Sequence, residues 1–313
     1  MRALVTGASG FVGKYLVDEL RAAGYDVLAC GGPNDVEFLP VDLADTSSLR
    51  AALDIGMPDV VFHLAAQTFV PDSVASPRET YLANTLGTAN LLEAMRSYAR
   101  NGARAPRLLF VSSAEVYGAQ PPEAFPLDER TVPSPANPYA ASKAAAEAIV
   151  LGETRSLGID AVIARAFNHI GPGQSERFVV ASFAHQLASI AAGGDPVLLV
   201  GNLDARRDFL DVRDVVRAYV ALARDGAAGE IYNVCSGSAR SIRDVLRELI
   251  IAAHVPVEVR DDPARMRPSD TPLFVGNNAK LGAATGWAAS IGFERSIRDI
   301  YRAAQTGLSR PQP

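Results

Sequence analysis

Apolar residues fall along this chain in short, nearly unbroken runs separated by stretches of helical period. RALVT (residues 2–6), YDVLAC (25–30), DVVFHLAA (59–66) and RLLFVSS (107–113) have the length and continuity of strands covered on both faces. After the first run, Val12, Leu16, Leu20 and Ala23 recur at helical spacing, and further helical stretches cover about residues 45–54 and 78–98. Strands alternating with helices predict a parallel sheet with helices on both sides. The alternation loosens after residue 166, where NHIGPGQ and GNLDARRDF stand out as loops. A later helix is predicted to start at Ser241, whose hydroxyl can cap it ahead of Ile242, Val245, Leu246, Leu249 and Ile250 on one face.

At 313 residues the chain exceeds one small core; at about 150 residues per domain it suggests two domains, or one with an inserted lobe. The segment 114–138 carries Pro121, Pro122, Pro126, Pro133, Pro135 and Pro138 with little periodicity. It joins the strand ending at Ser112 and Ser113 to the helix that starts at PYAASK, where a long loop often serves a binding site. A net charge of −5 with both signs scattered gives no basic stripe, which argues against nucleic acid. Cys30 and Cys235 are far apart and have no ligand cluster around them, which fits a reducing cytoplasm. His63, His169, His185 and His254 lack metal-ligand spacing, so no metal is expected. No apolar run approaches the ~20 residues that cross a bilayer, and glycines interrupt the N-terminus before a secretory segment forms. GxSxG and Walker A patterns are absent, which removes the usual support for an acyl hydrolase or P-loop kinase.

Chemistry enters with TGASGFVG, which sets Gly7, Gly10 and Gly13 between the first strand and an amphipathic helix. Glycines there allow a tight turn and close approach to a pyrophosphate, and the helix N-terminus offers unpaired N–H groups. Asp42, in PVDLAD, is a candidate acceptor for an adenine amino group, against the alternative of a surface turn aspartate. After the second strand, CGGPND has neither an acid nor an arginine at the strand end itself, so the choice between NADPH and NADH stays open. Tyr139 and Lys143 lie four residues apart just after a proline that suits a first helical turn, and so share one helix face.

Taken in order, TGASGFVG, HLAA, SSAEVYG and YAASK resemble the extended short-chain dehydrogenase/reductase family of nucleotide-sugar epimerases, dehydratases and reductases. The resemblance implies a Rossmann-type doubly wound parallel sheet with a smaller C-terminal substrate-binding lobe. Residues 1–166 would bind NADPH or NADH, elements around 206–235 would return to that domain, and 167–313 would form most of the interleaved lobe. It assigns Ser113, Tyr139 and Lys143 to catalysis, with Ser112 the candidate if the register differs. A nearby ammonium favours phenolate, so Lys143 is expected to lower the pKa of Tyr139. Coenzyme contacts are implied at Gly7, Ser9, Gly10, Phe11, Val12 and Gly13 in the glycine turn, and at Asp42 and Leu43. Others are implied at Leu64, Ala65 and Ala66 in HLAA, and at Phe167 beside Tyr139 and Lys143.

Glu115 narrows the resemblance to enzymes of mannose-type GDP-sugars, where a matching glutamate is the base of the dehydratases. The second half, with NHIGPGQ, RRDF and RMRPSDTPLFVGNNAKLGAATGW, is similar to the bacterial reductases of GDP-4-keto-6-deoxy-D-mannose. This implies substrate contacts at Thr68, Glu115, Asn168, Phe178, Val179 and Asn202. Arg207 and Arg267 would embrace the diphosphate, a role that suits guanidinium forks. The expected reaction is reduction of the C4 ketone to GDP-D-rhamnose by a cytoplasmic homodimer. A 4,6-dehydratase, a 4-epimerase, a reductase giving GDP-6-deoxy-D-talose and a non-catalytic dinucleotide-binding module are the alternatives.

Overall fold

Each apolar run of the first half becomes a strand. The computed structural model describes residues 1–100, 104–265 and 271–308. Its first half contains β1 (Arg2–Thr6), β2 (Asp26–Gly31), β3 (Leu39–Pro40), β4 (Val60–His63), β5 (Arg107–Ser113) and β6 (Ala161–Ala166). Between them run α1 (Phe11–Ala22), α2 (Thr46–Gly56), α3 (Val70–Ala75), α4 (Pro77–Tyr81), α5 (Gly87–Arg100) and α6 (Pro138–Leu157). The second half adds β7 (Asn168–Ile170), β8 (Val197–Val200), β9 (Arg206–Asp211) and β10 (Ile231–Val234), with α7 (Val179–Ala191) and α8 (Val212–Asp225). It closes with β11 (Ala239–Ser241), α9 (Ile242–Ala253), β12 (Glu258–Asp261), β13 (Leu273–Phe274), α10 (Ala279–Thr285) and α11 (Phe293–Leu308).

Seven strands form one parallel sheet in the order β10-β6-β5-β4-β1-β2-β3. The order reverses between β1 and β4, and the crevice at the carboxyl ends of those strands is where such sheets bind ligands. Alternation along each strand divides the core. Ala3, Val5, Phe62 and Leu109 face α1 and α8, while Leu4, Val61, Leu108 and Phe110 face α2, α5 and α6. All eight are buried, at roughly 1.5–3 kcal/mol for each of the larger side chains. A third core, around Phe183, Leu187, Leu246 and Ile300, packs α7, α9 and α11 together. Ser241 caps α9 as expected, its hydroxyl accepting from the Asp244 amide at 3.0 Å while Asp244 reaches back.

Two local departures from the sequence pattern matter for the site. The stretch predicted as one helix over about 78–98 widens into a π-helical turn at Leu82–Leu86, which directs Asn84 inward. Asn84 then donates to the Gln67 carbonyl and the Ser142 hydroxyl, both at 2.9 Å. The proline-rich segment is also tied down. Leu127 donates to the Val275 carbonyl at 2.9 Å and accepts from the Asn277 amide at 2.8 Å, and its side chain joins a cluster with Tyr117, Phe167 and Phe274.

Tyr219 on α8 is fully buried, and its hydroxyl has no partner among the described residues. A buried unpaired hydroxyl costs stability. Tyr219→Phe is therefore expected to raise the unfolding free energy by about 1 kcal/mol in urea denaturation.

Candidate active site

The glycine turn is built by close approach. Gly7 has φ +75°, and a Cβ there would stand 2.7 Å from the Ala65 amide nitrogen. A Cβ on Gly13 would stand 2.1 Å from the Gly7 carbonyl oxygen, so α1 can pack onto the turn only as glycine. Gly10 is the first cap of α1 and brings no side chain to its open N–H groups. Thr6, at the end of β1, accepts from the Ala65 amide at 3.4 Å and meets Nδ1 of His63 at 2.7 Å, while Nε2 of that ring meets Thr88 at 3.2 Å. Burial, reinforced by Lys143, pushes His63 down to about 3, so it stays neutral and ties β1, β4 and α5 together. The turn from Gly7 to Gly13 thus stands at the carboxyl end of β1 with Leu64 and Ala65 packed against Gly7, while Val12 turns to the core. The narrow turn and uncapped helix end fit the pyrophosphate of a nicotinamide dinucleotide. Asp42 closes its own turn by accepting from the Ala44 amide at 2.9 Å, and Leu43 packs on Gly87.

Across the crevice, Asn137 caps α6 by accepting from the Ala140 amide at 2.8 Å, and Pro138 occupies the first turn. This sets Tyr139 and Lys143 against the end of β5, both buried. The Ser113 hydroxyl, which accepts from the Glu115 amide at 3.2 Å, and the Glu115 carboxylate both lie near enough to act on the Tyr139 phenol. The Ser112 hydroxyl is instead committed to Glu147, about two turns along α6 from Tyr139. The geometry therefore favours Ser113 over Ser112 as the neighbour of Tyr139.

One expectation is overturned. Burial pushes the Tyr139 phenol up to about 12, with Glu115 adding to the rise and Ser113 opposing it. The Lys143 ammonium does not reverse this, because it is spent on the Val111 carbonyl at 2.8 Å. Burial also pulls Lys143 down to about 8, against an upward pull from Glu147.

The other sequence candidates scatter more widely. Thr68, Asn168, Asn202, Phe178 and Val179 are exposed, which suits walls that a substrate covers. Phe178 stands edge-on to Phe69 at 5.7 Å, and Arg177 lies 3.8 Å over the Phe69 ring while pairing with Asp72. Asn202 accepts from the Asp204 amide at 3.0 Å. Arg207 donates to the Thr271 carbonyl at 2.7 Å, which fixes one arm of its guanidinium. The Phe167 ring is buried against Tyr117 and Phe274, its amide donates to the Val234 carbonyl at 3.0 Å, and its carbonyl meets Nδ1 of His169 at 3.2 Å. Arg267 lies outside the described residues.

Glu147 was missed, although its spacing from Lys143 repeats that of Lys143 from Tyr139 on the same face of α6. It is paired with Arg165 of β6 at 2.7 Å, both side chains being 3–4% exposed. Glu147→Gln leaves Arg165 buried without its anion, an expected cost of about 3–5 kcal/mol in urea denaturation. The same change removes the charge that supports protonated Lys143, so the alkaline limb of dinucleotide binding is expected to move to lower pH.

The sequence profile of the GDP-mannose 4,6 dehydratase family matches residues 4–300. The chain is 42% identical over 301 residues to GDP-6-deoxy-D-mannose reductase of Pseudomonas aeruginosa, covering 96% of this chain and 95% of that protein. It is 34% identical to GDP-6-deoxy-D-talose 4-dehydrogenase of Aggregatibacter actinomycetemcomitans, over 90% of each chain. Among solved structures, RMD from Pseudomonas aeruginosa complexed with NADPH superposes with a TM-score of 0.89 at 39% identity, covering 98% of this chain and all of that one. UDP-glucose 4-epimerase of Thermus thermophilus in complex with NAD gives 0.85 at 34% identity, over 97% of this chain and 99% of that one. With its glycine turn at the reversal of the sheet and Tyr139 and Lys143 on the facing helix, the chain belongs to the GDP-mannose 4,6 dehydratase family, within the extended short-chain dehydrogenases/reductases.

Proposed function

We propose that this chain is a cytoplasmic NAD(P)H-dependent reductase that converts the C4 ketone of GDP-4-keto-6-deoxy-D-mannose to the alcohol, giving GDP-D-rhamnose. The observation that carries this reading is the placement of Tyr139 and Lys143, buried on α6 against the end of β5 that bears Ser113, across the crevice from the glycine turn. The dinucleotide, when bound, supplies a hydride to the ketone carbon. Tyr139 gives its proton to the oxygen as it becomes an alkoxide. Burial raises the phenol to about 12, so it carries its proton at neutral pH and can give it up as the alkoxide forms. Ser113 hydrogen-bonds the same oxygen and fixes its direction. Lys143, held by the Val111 carbonyl, presents its remaining N–H groups to the nicotinamide ribose. Thr68, Asn168, Phe178, Val179 and Asn202 form the sugar and nucleotide walls, and Arg207 with Arg267 meets the diphosphate. The cytoplasmic assignment draws on Cys30 and Cys235, both unpaired and buried.

Glu115, close enough to Tyr139 to raise its pKa, supports a second reading as a dehydratase in which that carboxylate takes a proton from the sugar. Purified protein given the keto sugar with NADH or NADPH is expected to oxidise one coenzyme per sugar, with GDP-D-rhamnose as product. Turnover of GDP-mannose without added coenzyme would instead establish the dehydratase, and a GDP-6-deoxy-D-talose product would reverse the hydride face. Tyr139→Phe is expected to lower kcat by about 10²–10⁴-fold with dinucleotide affinity retained.

The proposal extends to a homodimer. Tyr81, Leu82 and Leu86 are exposed on the π-turn region and, with Ala145 and Ile149 of α6, form an open apolar depression. A second copy of this face would cover it. Leu86→Glu is expected to convert a dimer to a monomer in sedimentation equilibrium.

A further inference from the structure

β2 ends at Gly31, and residues 31–38 read GGPNDVEF, with no charge at the strand end. The fold supplies one from further along. The Asp35 amide donates to the Gly32 carbonyl at 3.0 Å, which doubles the chain back. Oδ1 of Asp35 then accepts from the amides of Glu37 at 2.9 Å and Phe38 at 2.8 Å, closing the turn. Its Oδ2 lies directly over Gly31, only 2.2 Å from where a Cβ on that residue would stand. β1 and β2 are aligned with Thr6 opposite Cys30, and the Ala8 amide donates to the Cys30 carbonyl at 2.9 Å, so Gly31 borders the glycine turn. The Phe38 amide, the Ser9 hydroxyl and the Glu37 amide all hold the Asp35 carboxyl below its usual range, placing a charged group against that turn.

At the carboxyl end of the second strand, about 20 residues past the glycine motif, an acid accepts from the adenosine ribose 2′-hydroxyl, whereas an arginine accommodates a 2′-phosphate. Residues 31–38 contain Asp35 and Glu37 and neither Arg nor Lys. Lys14, the cation that acts on Asp35, has its Nζ 3.8 Å from Glu37. We infer that Asp35 selects the coenzyme: its Oδ2 accepts from the adenosine ribose hydroxyls of NADH and repels the 2′-phosphate of NADPH. The chain therefore prefers NADH, although its Pseudomonas relative was solved with NADPH. The inference rests on the oxidoreductase reading but not on the identity of the sugar.

Calorimetric titration of the full chain with NADH and NADPH, without sugar, tests it. NADH is expected to bind at least tenfold more tightly than NADPH. In Asp35→Asn, which keeps an acceptor for the turn, the two affinities are expected to come within about threefold, mainly through tighter NADPH binding. Glu37→Gln, which also removes one charge from the loop, is expected to change the ratio by less than threefold, and added salt should compress the wild-type ratio. On the wild-type chain alone, 5′-AMP is expected to bind at least threefold more tightly than 2′,5′-ADP, a comparison independent of any variant's folding. Equal or tighter binding of NADPH or 2′,5′-ADP by the wild type overturns the inference and leaves the oxidoreductase reading standing. An unchanged ratio in Asp35→Asn, or an equal change in Glu37→Gln, overturns Asp35 as the selector. Binding of neither dinucleotide removes both.

Discussion

Two opposite charges almost closed off from water, Glu147 and Arg165, lie behind the helix that presents Tyr139. Such a pair gains little net stability, because desolvating both ions offsets their attraction, but neither partner can be lost alone. Its value here is geometric. Ser112 of β5 donates to Glu147, and Arg165 of β6 lies over the Tyr117 ring at 4.7 Å. Tyr117 in turn donates to Asn233 of β10 at 2.7 Å, and Asn233 donates to the Leu127 carbonyl at 2.9 Å. One chain of polar contacts thus runs from α6 through two strands to the proline-rich segment and the last strand of the sheet. That chain ties α6, which bears Tyr139, to β5, which ends at Ser113.

The same network explains the acid–base state of the site. Lys143 sits between a carbonyl it donates to and a carboxylate one turn further along α6. Burial pulls Lys143 down while Glu147 holds it up, and burial, with Lys143 adding to it, keeps His63 neutral below. Tyr139 shares the burial without a cation turned toward it, so it keeps its proton. A buried phenol and a buried ammonium one turn apart are therefore shifted in opposite directions, the phenol up and the ammonium down.

What was legible in the sequence is what repeats locally. The runs RALVT and RLLFVSS became β1 and β5 with those bounds, Ser241 capped its helix, and the glycines at 7 and 13 are required by contacts their spacing implied. What was hidden depends on depth or on chain reversal. Spacing put Lys143 beside Tyr139 but could not report that both are buried or that Val111 claims the ammonium, so the direction of the phenol's shift was misjudged. Asp35 lies in a loop whose sequence gives it no special place until the turn at Gly32 folds it over the strand end. Ser112 and Ser113 were adjacent candidates that only the fold separates, by giving the Ser112 hydroxyl to Glu147 and leaving Ser113 near the phenol.

The outermost strand of the large sheet, β10, comes from residues far beyond the other six, and it pairs along β6 from Ile163 to Ala166. A chain cut after residue 166 would keep every part of the glycine turn and the Tyr139 helix, yet it would not be an autonomous folding unit. β6 would become a bare edge of apolar sequence, AVIARA, with unpaired backbone groups, a template for pairing with other chains. The buried Asn233 that anchors Tyr117 and Leu127 would be missing as well. The two halves of the chain are thus not detachable: the last strand of the large sheet is synthesised amid the elements that build the third core, and the sheet is complete only after most of the chain has been made.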